Sequence, residues 1–506
     1  MSNSNQAEMN DVQGLILKGY NFPHIRYIIL SIKDIKGAKK FCASLASQNS
    51  TTGLHITTAE PWENMIKPDY CLNIGFTYWG LEKLIGTVNC DEINDDSSAE
   101  VFASFKKGAI ADATEMGDTN ESAPANWWKN GGWIPKQKPK PDGSDLHIQL
   151  TLFTLTPKNR EKYYTDLLQM IPKAASGGAS VIPVYYQDSD PITVDGNSDY
   201  VHFGYRDSLS QPRIDDIVWN KPKLKKLMGI SSIDDRPKVP LDRFVISSDA
   251  DDYNAHPLLV NGSFAAFRLL YQDEAKFNKF IHSDPKTSPE LMAAKMCGRW
   301  RDGTPLVVSP DKEDKTLGEP SSKNFNFTNF NYLAPSPNQH GDQSSDENGL
   351  KCPYAAHIRR ANPRDDFNVT GNNNNAETHR IVRRASPYGP VYDPNEKAGI
   401  QRGLVGLFIG AVLDFQFRFV TKLWLEMGGF RNPDDSPNYS GVDPLFGPQV
   451  SDTNPYDSIF AFNKNGTYNE VPGLTRFIRT DGSLYLFLPG ITGLKYIAEG
   501  KIPPAS

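Results

Sequence analysis

Apolar positions recur along the chain with two periods that take turns. From Ile25 to Ser31 β-branched and aromatic residues run together, which predicts a buried strand. Directly afterwards Ile35, Ala38, Cys42 and Leu45 fall at spacings of three and four, which predicts one buried helix face. Tyr70 to Phe76 predicts a second strand, Phe102 to Met116 a helical stretch, and His147 to Leu155 another strand. The order restarts with a strand at Ser263 to Tyr271 and a helix capped by Asp273, whose Phe277, Phe280 and Ile281 share a face. Near the end, Arg476 to Arg479 and Ser483 to Leu488 flank Thr480-Asp481-Gly482, which predicts a short hairpin. The pattern predicts an α+β fold of two tandem units, with the boundary between residues 8–235 and 236–500. No Gly-x-Gly-x-x-Gly follows a strand, which argues against a nucleotide-binding sheet. Three stretches lack either period and predict loops or insertions: Ser309 to Gly349, Asp365 to Thr378 with its four asparagines Asn372 to Asn375, and Gly428 to Pro472.

Composition narrows the function classes. Among 506 residues, 54 Lys and Arg oppose 60 Asp and Glu, a net charge of −6 that argues against nucleic acid as a partner. The longest apolar run, Leu404 to Leu413, is about half of what a membrane-spanning helix requires, so no membrane partner is expected. Five scattered cysteines without a Cys-x-x-Cys pair fit neither a disulfide framework nor a thiolate zinc site and predict reduced, buried thiols. The polar N-terminus lacks the apolar core of a secretory signal, which predicts a cytoplasmic location.

Histidine is scarce, at nine copies, and none forms a His-x-His or His-Glu-x-x-His pair, so a multi-histidine metal centre is not expected. His357 stands in Cys352-Pro353-Tyr354-Ala355-Ala356-His357-Ile358-Arg359-Arg360-Ala361-Asn362-Pro363-Arg364. One neutral imidazole is all that a haem iron needs from a protein on one face. A second segment runs Val201-His202-Phe203-Gly204-Tyr205-Arg206-Asp207-Ser208-Leu209-Ser210-Gln211-Pro212, and a third His379-Arg380-Ile381-Val382-Arg383-Arg384-Ala385-Ser386-Pro387-Tyr388-Gly389. Taken singly, each also reads as ordinary: a histidine in a basic loop, an aspartate capping its own turn, a solvated basic face.

Together the three segments resemble the dye-decolorizing peroxidase family of haem enzymes. Gly204 to Ser208 is similar to its Gly-x-x-Asp-Gly motif, Cys352 to Arg364 to its proximal segment, and His379 to Gly389 to the segment holding its distal arginine. Weaker similarity extends from Asp11-Val12-Gln13-Gly14 to Tyr485-Leu486-Phe487-Leu488-Pro489, through Gly117-Asp118, Gly298 to Pro305, Arg402 to Trp424 and Gly441-Val442-Asp443-Pro444. The long loops and the Cys-Pro-Tyr-Ala-Ala-His form are most similar to the large fungal and related bacterial branch.

The resemblance implies two tandem ferredoxin-like domains of the dimeric α+β barrel type with long loop insertions, the first carrying the distal Asp207 and the second the haem. It implies one haem b (iron protoporphyrin IX), with His357 as proximal iron ligand and Asp414 as the carboxylate receiving its other N–H. Asp207 becomes the base that moves the peroxide proton, and Arg383 the cation over the same haem face. Arg364, Asn362 and His379 become candidates for the haem edge. The implied activity is a peroxidase reducing hydrogen peroxide and oxidising aromatic or dye-like reductants in one-electron steps, in part at surface Tyr or Trp. A haem-binding or haem-handling protein with weak peroxidase activity is the alternative, and both monomer and homodimer are compatible with the sequence. Two departures bear on that choice: Ser208 replaces the motif's second glycine, and Gly406 stands where the family carries a distal phenylalanine, which predicts a roomier distal pocket.

Overall fold

A computed structural model of the chain describes residues 8–504, apart from residues 49–52, 63–65, 96–98, 130–131, 134–138, 195, 208, 215–237, 249–254, 319–326, 336–338, 367–378, 428–440, 448–457 and 465. The expected boundary at 235/236, the asparagine run 372–375 and Ser208 lie outside the described residues.

The β-branched run after residue 24 forms strand β1 (His24–Ile32), buried at every position but its first. Asp34 then caps α1 (Ile35–Ala46) by accepting from the Gly37 N–H, and this helix buries Ala38, Cys42 and Leu45 on one face. The remaining sheet strands are β2 (Tyr70–Phe76), β3 (Gly132–Trp133), β4 (Ile148–Thr154), β5 (Val181–Ser189), β6 (Ser263–Gln272), β7 (Val382–Tyr388) and β8 (Gly403–Gly410). A hairpin of β9 (Ile459–Lys464) and β10 (Thr467–Pro472) precedes the last sheet strand, β11 (Ile478–Leu488). Helices α2 (Ala99–Asp112), broken at Gly108, α3 (Pro157–Gln169), α4 (Glu274–Ile281), α5 (Pro289–Cys297), α6 (His357–Ala361) and α7 (Ile491–Glu499) complete the frame. The fold is α+β.

Nine strands form one antiparallel sheet in the order β7-β8-β6-β11-β2-β4-β1-β5-β3. In each half the four main strands have the ferredoxin-like order, second, third, first, fourth in chain sequence, and the halves meet where β11 pairs with β2 at Phe487 and Phe76. The outer strand β7 returns towards β5: Ser189 Oγ donates to the Pro387 carbonyl at 2.6 Å and Tyr27 Oη to that of Arg384 at 3.4 Å. One continuous apolar core spans both halves, with Tyr27 against Phe267 and Phe105 against Phe264 at ring-centre distances of 5.9 and 5.3 Å. A buried bidentate pair, Arg268 with Asp118 at 2.7 Å, adds a polar tie across the same core.

Two local expectations are corrected. Thr480-Asp481-Gly482 makes no hairpin but lies inside β11, because β6 pairs the strand on both sides of it. The turn-forming residues serve a bulge there: Leu269 faces Gly482 and Leu270 faces Thr480, leaving Asp481 unopposed. Gly482 also admits the Trp128 ring, which a Cβ would approach to 2.6 Å. Gly428 to Pro472, expected as loop, contains the β9–β10 hairpin, whose alternating Phe460 and Phe462 are buried. No helix among the described residues is long and apolar enough to cross a membrane, and Leu404 to Gly410 belong to strand β8.

Candidate active site

α6 begins at His357, and its first turn carries three residues that each do something different. Arg359 is fully buried, held by Asp346 and Asp366 and sandwiched between the Tyr332 and Tyr354 rings at 4.3 and 4.5 Å. This fastens the helix to the loop before it. Arg360, also fully buried, donates to the carbonyls of Trp424, Met427 and Gly441, the last at 2.6 Å. It fastens the helix to the chain two residues before Asp443. His357 itself keeps a third of its side chain exposed and bonds through Nδ1 to Asp443 Oδ2 at 2.7 Å.

Asp443 is fully buried, and its Oδ1 accepts from the N–H groups of Leu445 and Phe446, both at 2.8 Å. A carboxylate only accepts, so Nδ1 of His357 carries a proton, and the neutral ring presents the Nε2 lone pair to its open side. Asp414 does not hold this position. It starts the π-helical turn Asp414–Arg418, where it accepts from Ser104 Oγ of α2 and pairs with Arg418, turned towards the first half of the chain. The acid that reaches His357 comes instead from the long segment between Trp424 and β9. We expect Arg360→Met to remove its hydrogen bonds to the buried Trp424 and Gly441 carbonyls and the part-buried Met427 carbonyl and to lower stability by roughly 3 kcal/mol, read by chemical denaturation.

The second group of residues gathers on β7. Gly204 has φ 78° and stands where a Cβ would meet the Arg301 guanidinium at 2.6 Å, so the turn into Asp207 needs glycine. The turn is then fixed by main-chain bonds from Gly204 to Val201, Arg206 to Arg301 and Asp207 to Asp199. Beyond Asp207 the loop docks on β7: Gln211 exchanges two hydrogen bonds with the Arg383 main chain, at 3.1 and 3.3 Å, and the Arg383 guanidinium donates to the Leu209 carbonyl. The loop bearing Asp207 and the strand bearing Arg383, far apart in sequence, are thereby joined.

Three further guanidiniums reach the same loop. Arg299 donates to Ser210 Oγ at 2.8 Å, Arg364 to the same atom at 3.4 Å, and Arg380 to the Ser210 carbonyl at 3.0 Å. Arg299 and Arg364 both lie over the Phe330 ring, at 5.4 and 3.7 Å. Burial, with Arg383 nearby, pushes Arg299 down to about 10. Asn362 ends α6 with its Oδ1 buried and unpartnered. His379 donates through Nδ1 to the Phe415 carbonyl and stacks on Phe419 at 3.6 Å, and burial lowers its pKa.

These residues suit a haem: one imidazole with a free lone pair oriented by a buried carboxylate, an unsatisfied buried amide oxygen, and an excess of guanidiniums for acidic edge groups. Among the described residues no cluster of three or more metal-ligating side chains occurs.

No protein-family model matches the chain. A dye-decolorizing peroxidase from Mycena epipterygia is 27% identical over 517 aligned residues, covering 97% of this chain and 87% of that one. The dye-decolorizing peroxidase AauDyP1 of Auricularia auricula-judae is 27% identical, with 96% and 86% covered. Over nearly its whole length the chain is similar to dye-decolorizing peroxidases. The fold agrees with solved structures of such enzymes. The crystal structure of a fungal DyP-type peroxidase from Auricularia auricula-judae superposes with a TM-score of 0.74 at 23% identity, covering 97% of this chain and 99% of that one. A dye-decolorizing peroxidase in complex with 2,6-dimethoxyphenol gives 0.72, with the same identity and coverage.

Against the family pattern, Gly406 was expected to open the distal pocket. Gly406 faces Ala385 across the β7–β8 pair, and a Cβ would lie 2.3 Å from the Ala385 Cα and 2.4 Å from the Arg384 carbonyl oxygen. A side chain at this position would therefore run into the main chain of the neighbouring strand. The half-buried Phe408, directly opposite Arg383 and 5.7 Å from Phe417, provides an aromatic ring on that face two residues further on. Gly406→Ala should accordingly cost about 1–3 kcal/mol of stability, measured by chemical denaturation.

Sequence reasoning missed Asp443, Arg299 and the docking role of Gln211. Asp443 stands in a segment that carries the resemblance, and a carboxylate directly before Pro444 in a loop was the available signal.

Proposed function

We propose that the chain is a haem b peroxidase that reduces hydrogen peroxide and oxidises aromatic or dye-like reductants, working in the cytoplasm as a two-unit protein divided near residues 235 and 236. The observation that carries this reading is the His357–Asp443 pair: a buried carboxylate acceptor fixing one imidazole with its other nitrogen open. Five free and buried cysteines favour the reducing compartment.

Bound haem would supply the iron at which the O–O bond breaks and would hold the two oxidising equivalents that peroxide delivers and reductants then consume. His357 would ligate it through Nε2, its basicity raised by Asp443. Asp207 takes the proton from one peroxide oxygen and returns it to the other, which leaves as water. Arg383 stabilises the charge that grows on that leaving oxygen. Arg364 donates to an acidic edge group of the cofactor, with Asn362 at the same rim; His379, neutral and with its proton on Nδ1, presents Nε2 there only as an acceptor. Arg299 holds Ser210 and so keeps the Asp207 loop seated. The test is peroxide-dependent oxidation of 2,6-dimethoxyphenol and of an anthraquinone dye by the haem-loaded protein; absence of both with haem bound would overturn the reading.

A further inference from the structure

Two polar side chains beside the distal loop have no part in the scheme above. His202 is buried, and its Nε2 donates to the Tyr388 carbonyl at 2.7 Å, the last residue of β7. A carbonyl only accepts, so Nε2 holds the proton and Nδ1 is left with a lone pair. That Nδ1 is buried without a hydrogen-bond partner. It faces Oε2 of Glu274, the first residue of α4, at 3.8 Å, and this oxygen is also buried without a partner. Two acceptors confronting each other out of water are unfavourable, and one proton between them resolves both.

The surroundings bias where that proton sits. Arg402 Nη1 lies 3.8 Å from Glu274 Oε2, but Arg402 is itself engaged by Glu396 and the Pro390 carbonyl. Glu396 repels the Glu274 charge, while Arg301 and the Tyr392 main chain favour it more weakly than Arg402 does. Desolvation prevails and pushes Glu274 up to about 7. Desolvation, aided by Arg402 and opposed by the Tyr388 bond, pushes His202 down to about 4. The pair therefore holds one proton below neutrality and none above it, with the carboxyl as carrier.

The position gives this proton a consequence. His202 pins the start of the Asp207 loop to the end of β7, and Gln211 pins the other end of the loop to Arg383 on the same strand. We propose that His202 and Glu274 share a single proton that locks the Asp207 loop in register with Arg383, which makes His202 a positioning residue for the distal pair. When the proton leaves, the lone pair and the carboxylate repel, the imidazole turns away from Tyr388, and Asp207 loses its fixed distance to Arg383. The inference rests on the reading of Asp207 as the distal base.

The test uses cyanide, because hydrogen cyanide must give up its proton to the distal base as it binds and so reports Asp207 without turnover. In the haem-loaded wild type, the association rate should fall as pH rises, with an inflection near the Glu274 value of about 7. Glu274→Gln, whose carboxamide can always donate to Nδ1, should keep the low-pH rate within about twofold and lose that inflection. His202→Gln, which can still reach Tyr388 but has no Nδ1, should lose it as well. An unchanged inflection in Glu274→Gln overturns the proposal. Difference infrared spectroscopy reads the same proton directly: a protonated-carboxyl band that titrates near neutrality in wild type and vanishes in Glu274→Gln. Failure to bind haem or cyanide would instead overturn the peroxidase reading, and the infrared titration would still decide the shared proton.

Discussion

Replacing Asp443 with asparagine should raise the reduction potential of the haem-loaded protein and slow its reaction with peroxide roughly 10- to 100-fold, with haem still bound. Asp443 accepts three N–H groups at once, from His357 on one oxygen and from Leu445 and Phe446 on the other. Asparagine has a single acceptor oxygen. Either its amide N–H₂ points at the two backbone donors and the loop loses its bonds, or it points at His357 and forces the imidazole to carry its proton on Nε2, where the iron would bind. In both cases the negative charge that makes His357 a strong donor is gone. Asp414→Asn is the control: Asp414 pairs with Ser104 and Arg418, away from His357, so the potential should not move. Spectroelectrochemistry and stopped-flow absorption on the two variants check this, and a shift in Asp414→Asn equal to that in Asp443→Asn would refute the assignment.

The second large effect is on the other side. Asp207→Asn should lower the rate constant for reaction with peroxide by about 10²–10⁴-fold, the range for a lost general acid–base group. Arg383→Leu should lower it by about 10²–10³-fold, the range for a lost charge-stabilising donor. Because Arg383 also holds the Leu209 carbonyl and shares a main-chain clasp with Gln211, its loss should loosen the loop that carries Asp207. The double variant should therefore fall well short of the product of the two single effects. Stopped-flow rates for the four proteins test this, and fully multiplicative losses would show that the two residues act independently.

Much of the sheet was legible because buried strands declare themselves by short runs of apolar, aromatic or β-branched residues and the paired helices by their three- and four-residue spacing. β1, β2, β4 and β6 all follow that rule. β11 did not, because Thr480-Asp481-Gly482 has turn chemistry that a bulge and a tryptophan contact use for another purpose. In the site, His357, Asp207 and Arg383 could be named because each lies in a short contiguous motif. The acid serving His357 could not be fixed that way. It arrives from a separate segment, held there by Arg360 on the same helix turn, and its identity is a property of the packed structure. Gly406 shows the same limit: a missing side chain was legible, but the close approach of the Ala385 main chain was not.

The most direct test of the central claim is the absorption spectrum of the haem-loaded protein before and after mixing with peroxide, recorded for wild type and for His357→Ala. A one-histidine peroxidase predicts a Soret band in wild type that changes promptly on mixing and returns when a phenol is added, and its loss or replacement in His357→Ala. A Soret band identical in both proteins, or one indifferent to peroxide in wild type, would contradict the account.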